Sequence, residues 1–244
     1  MRLRSLVVLI SALASAACTL GAPAGEPLPG REPGDGDQVW RGEVSPDEAP
    51  PAPAPAPAYG RLYVVGGDDG DALTAEATVW SAAIAADGTL ATFREEMHLP
   101  APRSGHALVA HGDRLLVVGG SEGGDARREV LEATADDEGK LSAWREVEGL
   151  RAPNAAPAAV VDGSRVLVMG GRDQAGPSAG VSMADLQGGV LGAFHETKPM
   201  PESRARFGLA RLGPFFVAVG GEGAAGAVGD VLVGSVDPGT GAPG

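Results

Sequence analysis

Cysteine is all but missing from this chain: Cys18 is the only one in 244 residues. No disulfide can form within it, and its stability must come from packing. Basic residues are also scarce, 19 against 32 acidic ones, for a formal net charge of −13. Without a basic stripe to release counterions from phosphates, the charge balance argues against nucleic acid and anionic lipid headgroups as partners. The apolar stretch from Leu6 to Ala17 is too short to span a bilayer, which takes about 20 residues. No Gly-x-Ser-x-Gly elbow is present. The four histidines, His98, His106, His111 and His195, show no metal-ligand spacing. Asp68-Asp69-Gly70-Asp71 lacks the loop length and terminal glutamate of an EF-hand and reads as an acidic turn. No catalytic residue, cofactor or metal is expected.

What is present begins with export. Arg2 and Arg4 precede the apolar stretch, which ends in small residues, so residues 1–17 read as a secretory signal. Cys18 stands where the lipidated cysteine of a bacterial lipoprotein would, although Ser15-Ala16-Ala17 puts serine where leucine is usual. Ordinary cleavage near Ala16 or Ala17 is the other reading. Residues 18–37 are rich in glycine, proline and acidic residues and read as a flexible tether. The expected location is outer membrane-anchored, periplasmic or extracellular, with membrane contact only through a lipid anchor.

Residues 38–244 carry an internal repeat. The pairs Gly66-Gly67, Gly119-Gly120, Gly170-Gly171 and Gly220-Gly221 each close an apolar run, and their first glycines are 53, 51 and 50 residues apart. An aromatic residue precedes each pair by 26 positions, at Trp40, Phe93, Trp144 and Phe194. A second signature, Gly-x-Leu-x-x-aromatic, recurs at Gly88-Leu90-Phe93, Gly139-Leu141-Trp144 and Gly189-Leu191-Phe194. Glycine supplies the turn, and the leucine and aromatic anchor an outer strand against the neighbouring sheet. In the second unit the pattern predicts strands at 106–111, 114–118, 129–135 and 141–147. A period near fifty with one strand ending in Gly-Gly is the mark of a four-stranded propeller blade, so the fold class is all-β, with four units.

The ends of the array depart from the pattern. The fourth unit fades after a third strand expected at 228–236, while Gln38 to Val44 is a spare outer strand expected to complete it and close the ring. The tract from Pro50 to Pro57 aligns with the inner strand of the second unit; a degenerate edge strand and a loose linker are both open readings.

With Pro102-Arg103-Ser104-Gly105-His106, Leu115-Leu116-Val117-Val118-Gly119-Gly120 and Gly139-x-Leu141-x-x-Trp144, the chain resembles a bacterial kelch-repeat protein. That resemblance implies a kelch-type β-propeller, a fold that hosts enzymes, sugar binders and scaffolds alike. Kelch rings usually have five to seven blades, so an open arc and a ring completed by another chain stay open beside the first reading, a four-bladed ring. The third unit has Ala152 where Arg103 and Arg204 stand. Copper chemistry of the galactose oxidase kind would need a tyrosine linked to cysteine, and only Tyr59 and Tyr63 exist, with Cys18 outside the repeat.

Repeat geometry gathers one candidate ligand face. Loops after the glycine pairs share an end of the ring with the connections between blades, collecting Asp68, Asp69, Glu122, Arg172, Asp173 and Glu222 with Arg103, His195, Glu196 and Arg204. Mixed carboxylate and guanidinium groups around a channel can hydrogen-bond a sugar or peptide. The functional expectation is a non-enzymatic binding or scaffold propeller at the cell envelope with a protein or carbohydrate partner. A carbohydrate-active enzyme resembling kelch-type sialic acid epimerases, and a truncated propeller acting only as an oligomer, are the alternatives.

Overall fold

A computed structural model describes the chain over residues 6–11, 60–68 and 74–235. All regular structure there is β, with no helix among the described residues. Each repeat unit forms its own sheet. In unit 2 the strands run from inner to outer as Ala107–His111, Arg114–Val118, Val130–Thr134 and Arg145–Val147, all antiparallel. The sequence expectation agrees to within a residue except at the outer strand. That strand starts at Arg145 because Leu141 pairs with Ala135 only as an isolated bridge.

Unit 3 repeats the arrangement with Ala158–Asp162, Arg165–Met169, Val181–Gln187 and the outer His195–Glu196. Unit 4 has Gly208–Leu212, Phe215–Val219 and Val231–Ser235, with no outer strand among the described residues. Unit 1 has Gly60–Gly67, Glu76–Ile84 and Arg94–Glu95. Its inner place is taken by Leu6–Ser11, which runs parallel to Gly60–Gly67, from Leu6 opposite Gly60 to Ser11 opposite Val65. Leu6–Ser11 falls within the stretch expected as a leader. The segments Gln38–Val44 and Pro50–Pro57, Cys18, the tether and Asp69 all lie outside the described residues.

The sheets stack face to face, with their inner strands side by side in unit order. This explains why the second strands are continuous apolar runs rather than alternating ones: both faces are covered. In unit 3, Val166 and Val168 pack against unit 2, while Leu167 and Met169 pack against unit 4. Three apolar cores result, between units 1 and 2, 2 and 3, and 3 and 4. Each fully buried Val, Leu or Met there contributes about 1.5–3 kcal/mol. The second turn signature works as its residues suggest. Leu141 and Trp144 pack into the core shared with unit 1, and the Trp144 indole N–H donates to the Met97 carbonyl oxygen at 2.8 Å.

The glycine pairs join one unit to the next. The N–H groups of Gly67, Gly120 and Gly171 donate to the carbonyl oxygens of Arg103, Asn154 and Arg204, at 2.9, 2.9 and 2.8 Å. Each acceptor lies in the connection leading into the following unit. The first glycine of each pair has a left-handed backbone, and those of units 1 to 3 sit against that same carbonyl, where a side chain would collide.

Candidate functional site

Arg103 and Arg204, expected on a ligand face, are buried and turned into the structure. The Arg103 Nη1 donates to the Gly119 carbonyl oxygen at 3.1 Å, and the Arg204 Nη1 donates to that of Gly220 at 3.0 Å. In unit 3 the same bond comes from the Asn154 side-chain amide to Gly170 O, at 2.8 Å. All three donors precede the accepting glycine by 16 residues. The residue in register with the two arginines is therefore Asn154, not Ala152. These side chains brace the glycine turn of their own unit while their backbone carbonyls accept from the previous one. Burial pulls the Arg103 guanidinium below its usual value, opposed by Glu129 at 3.7 Å.

His106, three residues on, is buried against the first glycine turn. Burial, with the Arg103 charge nearby, lowers its pKa to about 4 from 6.5. The folded state keeps this imidazole neutral where the unfolded chain would protonate it. Its contribution is therefore complete above pH 6.5 and is lost as pH falls from 6.5 toward 4. At pH 4.5 the loss should be about 2–3 kcal/mol. Unit 4 carries Phe207 at this register, also buried. His106→Phe should flatten the urea-denaturation stability between pH 7 and pH 4.5; an unchanged slope would rule His106 out as its source.

The connections and the loops after the glycine pairs do share one end of the stack. Ser104 bridges to Ser121, Ala155 to Arg172 and Ala205 to Glu222. Immediately after each bridge comes a left-handed residue: Gly105, Ala156 and Arg206, at φ 54°, 51° and 54°. For alanine and arginine this conformation costs about 1–2 kcal/mol, and it is held by the bridges. All three residues line one cleft of about 130 Å³ at the heads of the inner strands of units 2, 3 and 4.

Beside the cleft, Arg172 donates from Nη1 to both oxygens of Glu222, at 3.1 and 3.2 Å. The Arg206 guanidinium lies 4.0 Å from the same carboxylate and is half exposed. Two cations share one anion, leaving a local positive excess on an acidic protein. Of the other candidates, Glu122 pairs with Arg127 at 2.6 Å and Asp173 caps its own turn through Ala175 N–H. Asp68 follows the first glycine pair and is half buried. His195 and Glu196 belong to the outer strand of unit 3, three strands and roughly 14 Å from the inner one. They do not join the cleft. Arg206 was missing from the candidate face; its only signal in the sequence is that it falls in register with Gly105.

Two curated proteins show local similarity. Kelch repeat-containing protein At3g27220 of Arabidopsis thaliana is 39% identical over 77 residues, 30% of this chain and 18% of that protein. Over that stretch the repeats here are similar to kelch repeats. Spermatocyte protein spe-26 of Caenorhabditis elegans is 34% identical over 70 residues, 29% of this chain and 11% of that protein. The chain thus spans less than a fifth of either relative's length. No family model matches. Among solved structures, that of YjhT superposes with a TM-score of 0.54 at 17% identity, covering 67% of this chain and 51% of YjhT. At that identity the likeness concerns the fold alone.

Proposed function

We propose that this chain is a non-enzymatic binding propeller of the bacterial cell envelope, whose ligand enters the cleft formed by Gly105, Ala156 and Arg206. The observation that carries the proposal is the strained backbone of Arg206. A left-handed arginine costs stability where glycine would not, and here the strained residue lines the cleft with its half-exposed guanidinium 4.0 Å from Glu222, which Arg172 also contacts. Such a group suits a carboxylate-bearing sugar or a peptide carboxylate, held by charge-assisted hydrogen bonds. In this reading residues 1–17 direct export, Cys18 carries the lipid anchor and residues 18–37 form the tether.

The test is calorimetric titration with glucuronate, glucose and a short acidic peptide. Glucuronate or the peptide should bind, and glucose should not. Arg206→Gly should weaken binding by about tenfold or more, the loss of one charge-assisted contact, while leaving thermal stability equal or higher. Equal binding by wild type and variant, or no binding of any of the three, would refute the cleft. Conversion of the sugar, followed by NMR, would favour the enzyme reading instead.

A further inference from the structure

The interface between neighbouring units is used three times within the chain, and each end of the stack exposes one unused half of it. In unit 3 the positions facing unit 4 are closed: Met169, Val181 and Met183 are 4%, 0% and 4% exposed. Fifty residues on, the same positions of unit 4 are Val219, Val231 and Val233, and these are 50%, 54% and 65% exposed. The other end shows the complementary half. Leu141 and Trp144 of unit 2 are 4% and 9% exposed because unit 1 covers them, whereas their unit 1 counterparts, Leu90 and Phe93, are 49% and 41% exposed. Trp80 lies opposite Val64 on that same face of unit 1 and is also exposed.

The backbone repeats the contrast. Gly67, Gly120 and Gly171 each donate to the connection of a following unit, but no described residue takes up the N–H of Gly221. The first glycines of units 1 to 3 sit against a carbonyl of the next unit, whereas Gly220 has only Val228 of its own unit nearby. The inner strands lie side by side from unit 1 to unit 4, with no comparable contact from unit 4 back to unit 1 among the described residues.

We propose that the open face of unit 4 docks the open face of unit 1 of a second copy of this chain. The two ends are halves of an interface already built three times, so the contact is head-to-tail, and it must close or propagate. Propellers close with about four to eight blades. Two copies supply eight units; three would overshoot. A two-copy ring is the closed assembly that remains when one chain leaves its ends open.

The experiment is sedimentation equilibrium on the full-length chain, from below to well above about 10 µM, a range that brackets interfaces of standard size. The expected particle has twice the 24.4 kDa of one chain. Val233→Glu and Trp80→Glu, at opposite ends, should each weaken dimerisation by about thirtyfold or more, since each buries an unpaired carboxylate. Both residues are exposed within one chain, and unchanged far-ultraviolet circular dichroism checks that each variant folds. An equimolar mixture of the two variants should regain a dimer through its one intact interface. A wild-type monomer throughout the range overturns the proposal, as does a polymer that grows with concentration. A dimer that survives Trp80→Glu does so too, because it would be tail-to-tail.

Discussion

Gly170→Ala should lower the free energy of unfolding by about 3 kcal/mol or more, whereas Gly163→Ala should cost only about 1–2 kcal/mol. The two glycines share a left-handed backbone, φ 59° in each, so the conformational cost of a Cβ is common to both. Their surroundings differ. Nothing lies near a Cβ built on Gly163, which turns between two strands in solvent. A Cβ on Gly170 would collide with the Arg204 carbonyl oxygen and press on Phe207 and Met200. That carbonyl cannot withdraw, because it accepts the Gly171 N–H at 2.8 Å and fixes how unit 4 joins unit 3. The collision must be relieved by parting two units whose shared core includes Met169, Met183, Phe207 and Phe216. For a domain of this size the larger loss corresponds to a drop of roughly 6–12 °C in Tm. Equal shifts for the two variants would mean that backbone conformation alone, and not the approach of the next unit, calls for glycine there.

The same contrast shows which features the residues disclosed and which they did not. The three inner strands of unit 2 were legible to within a residue because each strand's apolar period and each turn's glycine agree, and because the glycine pairs repeat nearly in step. The role of Leu141 and Trp144 was legible for the same reason: a large apolar group behind a turn has one dry place to go, the neighbouring sheet. The role of Arg103 and Arg204 was not. A guanidinium beside a turn can face solvent or fold back onto a carbonyl, and composition is silent between them until burial decides. Counting 16 residues back from each glycine pair would have found Asn154 as their partner in unit 3, because the brace must reach the same carbonyl from the same backbone position. Arg206 was harder still. Its left-handed backbone is imposed by the bridge between Ala205 and Glu222, a contact across 17 residues that leaves no local mark on the sequence. His195 and Glu196 show the converse, since their place in the chain next to the connection hides the two strands that separate them from the inner strand of their unit.

Arg204→Ala should lower stability by about 3 kcal/mol, because truncation strips a fully buried side chain from the turn it braces. Arg204 donates to Gly220 O and to the Asp230 carboxylate, at 3.0 and 2.8 Å. That bond to Arg204 holds the Asp230 carboxyl below its usual value. The three units solve one problem in two ways. Units 2 and 4 pair an arginine with an acid, Arg103 with Glu129 and Arg204 with Asp230. Unit 3 uses neutral Asn154, and the residue in register with the acids is Gly180, as their shared hydrogen bonds to the first glycine of each pair show. Charge is thus either matched or absent at this position. The double variant Arg204→Asn with Asp230→Gly imports the unit 3 solution and should recover more than half of what Arg204→Ala loses, measured by urea denaturation at pH 7. Arg204→Asn alone should fall between them, restoring the Gly220 bond but leaving Asp230 without its cation. If the double variant is as unstable as Arg204→Ala, the carbonyl brace is not what Arg204 supplies, and its packing volume is. Either way the loss appears in stability with no ligand present, which separates a brace from a residue proposed to bind ligand, Arg206, whose replacement should alter binding and leave the fold intact.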